Sequence, residues 1–270
     1  MDMAMGRIVI GVGGWTFAPW RGPYYPDTLP QRRELEHMGA TMTGVEVNGT
    51  FYGSQKPESF RKWHDSVPDD FVFALKGTRY ATNRRVLAEA GDSVERFVSS
   101  GIVELKDKLG PINWQLAATK QFDPEDFATF LRLLPSSEGS HPLRHAVEAR
   151  HASFANAEAV ALAREHGVAL VAGCDAGYAE IADPTADFIY LRLQGTSEAH
   201  EKGYSDADLD AWAERIAMFA RGEVPSDLPT FGPKAQSTPR DVYAFVISGD
   251  KVKNPAAAMA LIERVAKMTG

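Results

Sequence analysis

The sequence predicts an α/β protein of the (β/α)8 TIM-type barrel class, on three observations. Eight short β-rich apolar runs follow one another along 270 residues, on average about 30 residues apart, which fills the roughly 250 residues that such a barrel occupies. Most stretches between the runs carry helical periodicity, and strands alternating with helices pair in parallel through crossovers. Gly11, Gly13 and Gly14, at the end of the first run and just after it, have no GxGxxG spacing, so an open doubly wound sheet with a phosphate loop finds no support. One barrel domain over residues 1–270 is expected, with no internal repeat.

In chain order the runs are Ile8 to Gly13, Gly44 to Asn48, Phe71 to Lys76, Ile112 to Ala117, His145 to Arg150, Val168 to Cys174, Phe188 to Gln194 and Val242 to Ile247. Each is short, rich in β-branched or aromatic residues and bounded by turn-forming residues. Asp123-Pro124-Glu125-Asp126 opens a helix with a capping acceptor, a proline that needs no N–H in the first turn, and carboxylates on the positive helix end. Phe127, Phe130, Leu131 and Leu134 then form one apolar stripe, as do Leu209, Trp212, Ile216 and Phe219, the latter ending at Gly222. Asn254-Pro255 opens the last helix, with Leu261, Ile262 and Val265 inward. The connection from Asp175 to Asp187 is close to the minimum for a parallel crossover, so its helix is expected to shrink to a turn. Glu223 to Arg240 is Pro-rich and aperiodic, a long loop on the N-terminal face before the last strand.

The hydrophobic content of 44% supports a substantial core. A net charge of −7 disfavours a diffuse polyanion-binding surface. One cysteine, Cys174, makes no internal disulfide or thiolate cluster, and it is expected to be buried packing at a strand end. The opening MDMAMGRIVIGVGG, with Asp2 and Arg7, lacks a signal-peptide layout, and no stretch approaches the roughly 20 apolar residues of a membrane span. A cytoplasmic protein without membrane association is expected.

In a barrel of this class, chemistry gathers at the carboxyl ends of the strands. Those ends carry Glu46 and Asn48, Lys76, Asn113 and Gln115, Glu148 and Arg150, Asp175, and Arg192 and Gln194. Alternation places Glu46 with Asn48, Glu148 with Arg150 and Arg192 with Gln194 on common faces, so inward faces bring carboxylates and cations to one mouth. A structural ion-pair network, for instance Glu148 with Arg192 or Lys76, is the competing reading, but half a dozen charged groups are costly filler. The loops add Trp15, Phe17, Trp20, Tyr24 and Tyr25, then Phe51 and Tyr52, then Arg79, Tyr80, Arg84 and Arg85. Aromatic faces beside cations suit a planar or sugar ring carrying an anion, although the same aromatics also serve as loop packing.

The succession GGWTFAPWRGPYYP, VEVNGTFY, FALKG, LGPINWQLA, AVEARHASF, DFIYLRLQG and VYAF resembles the YecE-like family, domain of unknown function 72, over nearly the whole chain. The resemblance implies a TIM-type barrel, cytosolic occurrence in bacteria or archaea, and no established activity. The polar positions it marks are Trp15, Glu46, Asn48, Tyr52, Lys76, Gln115, Glu148, Arg150, His151, Asp175 and Arg192. The chain departs from the family pattern at Ala117 and Ala118, where QLPP is common, at Phe154 for tryptophan, at Gln194 for histidine, and at Ile247-Ser248 for an asparagine pair.

The leading expectation is an enzyme doing hydrolase- or isomerase-like acid–base chemistry on a small anionic, phosphorylated or sugar-like substrate at the mouth. Glu46 and Glu148 would be general acid and base, Lys76, Arg150 and Arg192 electrostatic stabilisers, and Asp175 an orienting carboxylate or second base. Trp15, Asn48, Tyr52, Gln115 and His151 would contact substrate. No cofactor is required, although Glu46, Glu148 and Asp175 are oxygen ligands suited to magnesium or manganese. A multi-zinc site is disfavoured by the placing of the seven histidines. Nucleic-acid binding through the aromatic and arginine loops, and non-catalytic metabolite binding, are the alternatives.

Overall fold

A sheet that closes on itself has an inside, and the two-residue period of each strand decides what fills it. The computed structural model describes residues 5–269, so Asp2 lies outside the described residues. The barrel strands are Ile8–Gly13, Gly44–Val47, Val72–Lys76, Leu109–Gln115, His145–Glu148, a sixth in two pieces (Ala169–Leu170 and Ala172–Cys174), Phe188–Leu193 and Asp241–Val246. They are parallel and adjacent in that order, with the last strand against the first. The sixth strand is the seam: its first piece pairs with the fifth strand and its second with the seventh. Val171, between the pieces, donates its N–H to the Val147 carbonyl at 2.9 Å.

All eight predicted runs are strands. The fourth starts at Leu109 rather than Ile112, because Leu109 pairs with Phe73 ahead of a register irregularity. Sequence reasoning did not find the two-stranded ribbon Ser137–Glu138 and His141–Pro142, whose strands are too short to show alternation.

The barrel interior is filled from below by Val9, Val72, Ala146, Ala169, Val171, Phe188, Tyr190, Tyr243 and Phe245. Helices cover the outside. Pro124–Leu133 is capped by the Asp123 carboxylate, which accepts from the Asp126 N–H at 3.0 Å, and it buries Phe127, Phe130 and Leu131. Asp206–Ala220 buries Leu209, Trp212, Ile216 and Phe219. It ends as the sequence predicts: Gly222 adopts φ +88, so its N–H reaches Phe219 O and the Glu223 N–H reaches Met218 O. Asn254–Thr269 buries Leu261 and Val265, with Ile262 half-buried. Cys174 is fully buried, and burial holds its thiol well above the usual range, consistent with packing. Among the described residues no helix is long and apolar enough to cross a membrane.

The sixth crossover contains no helix at all, and the Pro-rich segment 223–240 takes up the space. Its backbone N–H groups at Phe231 and Gly232 donate to the buried Asp183 carboxylate at 2.8 and 2.9 Å, and Pro229 O accepts from the Ala182 N–H at 2.9 Å. On one side Arg164 of helix Ala157–Glu165 donates to Pro233 O at 2.8 Å, and on the other Arg215 of helix Asp206–Ala220 meets Asp227 at 2.6 Å. The segment is therefore fastened between the two helices that flank the missing one. Replacing Asp183 by alanine strands two donors, so Asp183→Ala is expected to cost about 1–3 kcal/mol in urea unfolding, with faster proteolysis inside residues 223–240.

Candidate functional site

The interior turns polar at its carboxyl-terminal layer. Register places Gly13 beside Glu46, Lys76 beside Asn113, Gln115 beside Glu148 and Gly173 beside Arg192. Gly13, Lys76, Glu148, Gly173 and Arg192 each lie a whole number of two-residue steps above an interior apolar residue of the same strand, so they face the axis; Glu46 meets Arg192 and Asn113 there, and Gln115 shares the face of Asn113. Glu46, Lys76, Asn113, Glu148, Arg192 and Gln194 are all buried there.

Arg192 is the hub. Its Nε and Nη2 donate to Glu46 Oε2 and Oε1 at 3.1 and 3.0 Å, and its Nη1 donates to both oxygens of Glu148 at 2.8 and 2.7 Å. Glu46 also accepts from the Tyr190 hydroxyl at 2.7 Å and from Asn113 Nδ2 at 3.3 Å. Burial works to raise the Glu46 pKa, but Arg192, Lys76 and the Tyr190 hydroxyl outweigh it and hold the carboxyl below its usual range. Burial also opposes the charge on Arg192, and the two glutamates overcome it, so the guanidinium is locked in its charged form. Arg150 donates to Glu148 Oε1 at 3.0 Å and lies 4.5 Å from the Tyr178 ring centroid.

Lys76 differs from its neighbours. Its Nζ makes no hydrogen bond to protein and has no carboxylate within 4.0 Å among the described residues, and it sits 4.4 Å from the centroid of the Phe51 ring. Burial pulls its pKa down to about 8; Glu46 and Glu148 pull the other way, while Arg192 and Arg150 add to the depression. The strand end is tightly fixed. The Thr50 hydroxyl donates to the Lys76 carbonyl at 2.7 Å, and a side chain at Gly77 would overlap the Trp114 indole. Two carboxylates thus face three cations, leaving one excess positive charge at the mouth. Three further buried polar atoms, Asn113 Oδ1, Gln115 Oε1 and Gln194 Nε2, have no protein partner. An unmet buried group of this kind costs about 1–3 kcal/mol.

The other sequence-predicted residues fall outside this hub. Trp15, Asn48 and Tyr52 line an adjoining cleft of about 460 Å³ together with Trp63 and Lys251. Asn48 spans the two places, because its Nδ2 occupies the space above Gly13. His151 is turned to the loop that follows its strand: its Nδ1 lies 2.8 Å from the Ser153 hydroxyl and caps a short turn. Asp175 is exposed, with φ +63, and its carboxylate accepts from the Tyr204 hydroxyl at 3.5 Å. Desolvation raises its pKa. The expectation that Glu46, Glu148 and Asp175 together suit magnesium or manganese is corrected: among the described residues no three His, Cys, Asp or Glu side chains are grouped to hold a metal ion. The physical reason is that Arg192 occupies both glutamates while Asp175 sits past the strand end. His145 lies outside the barrel, accepts from Trp114 Nε1 at 3.1 Å, and burial lowers its pKa to about 4.

Tyr190, Thr50 and Tyr178 were missed by sequence reasoning. Tyr190 was findable, because it lies two residues before Arg192 in a strand and so shares its face. Thr50 and Tyr178 carry no local signal, since their roles depend on strands or loops distant in the chain.

The fold and this layer define a TIM-type barrel with a charged, cation-excess mouth at the carboxyl ends of its strands. The chain belongs to the family described as "Protein of unknown function DUF72", whose model matches residues 9–269. UPF0759 protein YecE of Escherichia coli K12 is 28% identical over 147 residues, which is 54% of this chain and 50% of that protein. The chain thus spans about half the length of the curated relatives it matches. A DUF72 family protein of Thermotoga maritima MSB8 has the same fold, with a TM-score of 0.72 and 24% identity over 97% of this chain and 98% of that one. A xylose isomerase-like TIM barrel/4-hydroxyphenylpyruvate dioxygenase fusion protein aligns with a TM-score of 0.53 and 15% identity, over 98% of this chain and 44% of that one.

Replacing Arg192 by leucine strands two buried carboxylates, so Arg192→Leu is expected to cost about 3–5 kcal/mol in denaturant unfolding. Lys76→Met has the opposite sign. The lysine's pKa is about 8 when folded against 10.5 ordinarily, so between those values the unfolded chain binds the extra proton and stability rises with pH. Lys76→Met is therefore expected to stabilise the fold at pH 7 by on the order of 2 kcal/mol, the gain fading toward pH 10.5; a thermal-unfolding series from pH 7 to 10.5 measures it.

Proposed function

We propose that the mouth binds a small anion, phosphorylated or sugar-like, and that Lys76 gives and takes the proton in acid–base chemistry upon it. The observation that carries this reading is a buried ammonium without a carboxylate partner, in a layer whose two carboxylates are already taken by Arg192. A structural ion-pair plug does not account for Lys76, because the lysine closes no salt bridge among the described residues.

The roles shift accordingly. Glu46, saturated by four donors from Arg192, Tyr190 and Asn113, is a positioning residue that holds Arg192 in place. Glu148 does the same for Arg192 and Arg150. Arg150, half-buried and braced on Tyr178, offers its remaining donors to the anion. A pKa near the working pH lets Lys76 exist in both protonation states, which proton transfer requires. Trp15 and Tyr52 in the adjoining cleft offer faces for a ring attached to the anion, and Asn48 offers it a hydrogen bond.

Sulfate tests the reading, since it does not titrate across the relevant range. Calorimetry is expected to show binding that weakens as pH rises through about 8, where Lys76 loses its charge. Lys76→Met and Arg150→Met are each expected to reduce affinity roughly tenfold, and in Lys76→Met the pH dependence should vanish. Equal affinity and equal pH profile in parent and Lys76→Met would sink the proposal.

A further inference from the structure

We propose that Lys76 is also a nucleophile, forming an imine with a small carbonyl compound that bears a carboxylate or phosphate. This rests on the anion-binding reading of the same mouth and adds to it a covalent step. An amine attacks carbonyl carbon only through its free electron pair, so a reactive lysine needs a dry wall, cationic neighbours and no carboxylate to keep its proton. Lys76 has all three: the Phe51 face at 4.4 Å, the guanidiniums of Arg192 and Arg150 in the same layer, and no ion pair. The lowered pKa is consistent with that geometry.

The partner's features follow from the layer. Arg150 and the excess positive charge select an anionic substituent. The unpartnered acceptors Asn113 Oδ1 and Gln115 Oε1 and the donor Gln194 Nε2 are suited to a group that is first a carbonyl oxygen and then a hydroxyl. Asn113 is the register neighbour of Lys76 across the sheet. In the step itself the Nζ electron pair forms the C–N bond and the C=O π pair moves to oxygen, giving a carbinolamine. The oxygen then leaves as water with the two amine hydrogens as the C=N bond forms. The imine nitrogen takes one proton from solvent to become the iminium.

Lys108, the other buried lysine, shows what is special here. Its Nζ donates to the His64 and Val67 carbonyls at 2.8 Å and lies 3.6 Å from Asp69. Lys76 Nζ has no such carbonyl or carboxylate partner among the described residues.

Glyoxylate, the smallest anionic aldehyde, is the probe. The parent protein is incubated with it and cyanoborohydride, which delivers hydride to the iminium carbon and leaves a carboxymethylated lysine, located by peptide mass spectrometry. Lys76 is expected to react at least roughly tenfold faster than the exposed Lys62 and Lys202 despite its burial. Glycolaldehyde, uncharged, should lose that preference, and sulfate should slow the glyoxylate reaction. Arg150→Met should retain the fold and lower the selectivity for glyoxylate over glycolaldehyde. Modification that simply follows exposure, with sulfate still bound, overturns the nucleophile and leaves the anion site standing. Absence of both fast modification and sulfate binding overturns both.

Discussion

One guanidinium shared by two glutamates across the barrel is the constraint on which the rest of the mouth depends. Glu46 comes from the second strand, Glu148 from the fifth and Arg192 from the seventh, so the fork ties together strands that are not neighbours in the sheet. Placing three charges out of water costs several kcal/mol per ion after relaxation, recovered only when every lone pair and proton is matched. The Tyr190 hydroxyl and Asn113 amide complete that matching on Glu46. Once both carboxylates are committed, Lys76 and Arg150 bring positive charge that the protein itself does not balance. The excess positive charge of the mouth is thus a consequence of stoichiometry rather than of any single residue.

The barrel is built to make room for this layer. Gly13 leaves the space that Asn48 occupies, and Gly173 lies beside Gln194 and Glu148. Below, aromatic side chains from the seventh and eighth strands fill the interior, so the polar layer rests on a dry floor. Low polarity beneath it strengthens each interaction above it and raises the cost of any group left unmatched. The departures from the family pattern fall in different places. Ile247 joins the apolar interior near Gly13, and Gln194 faces the mouth with an unmatched Nε2. Phe154 packs among Phe122 and Phe127 in the shell and touches no part of the site.

The missing sixth helix has a mechanical counterpart. Its short connection carries Tyr178 onto Arg150 at the mouth and Asp183 onto the Pro-rich segment outside, so one stretch of chain serves both the site and the wall. An aperiodic segment rich in proline folds there because the Asp183 carboxylate accepts from its N–H groups while the Ala182 N–H and the Arg164 guanidinium donate to its carbonyls.

The sequence by itself determined the barrel, its eight strand positions and the polar residues that end them. Alternation and spacing are local properties of the chain, and a strand of known phase fixes which side chains share a face. Glu46, Lys76, Gln115, Glu148, Arg150 and Arg192 were legible on that ground, as was the helix cap at Asp123 and the stop at Gly222. Tertiary structure alone decided who pairs with whom: that Arg192 takes both glutamates, that Lys76 is left over against Phe51, that His151 turns to its own loop and that Asp175 leaves the group. Pairing depends on distances between strands and on the stagger that closure imposes, and these are set by the whole cylinder, whereas residue order encodes only the phase of each strand within it.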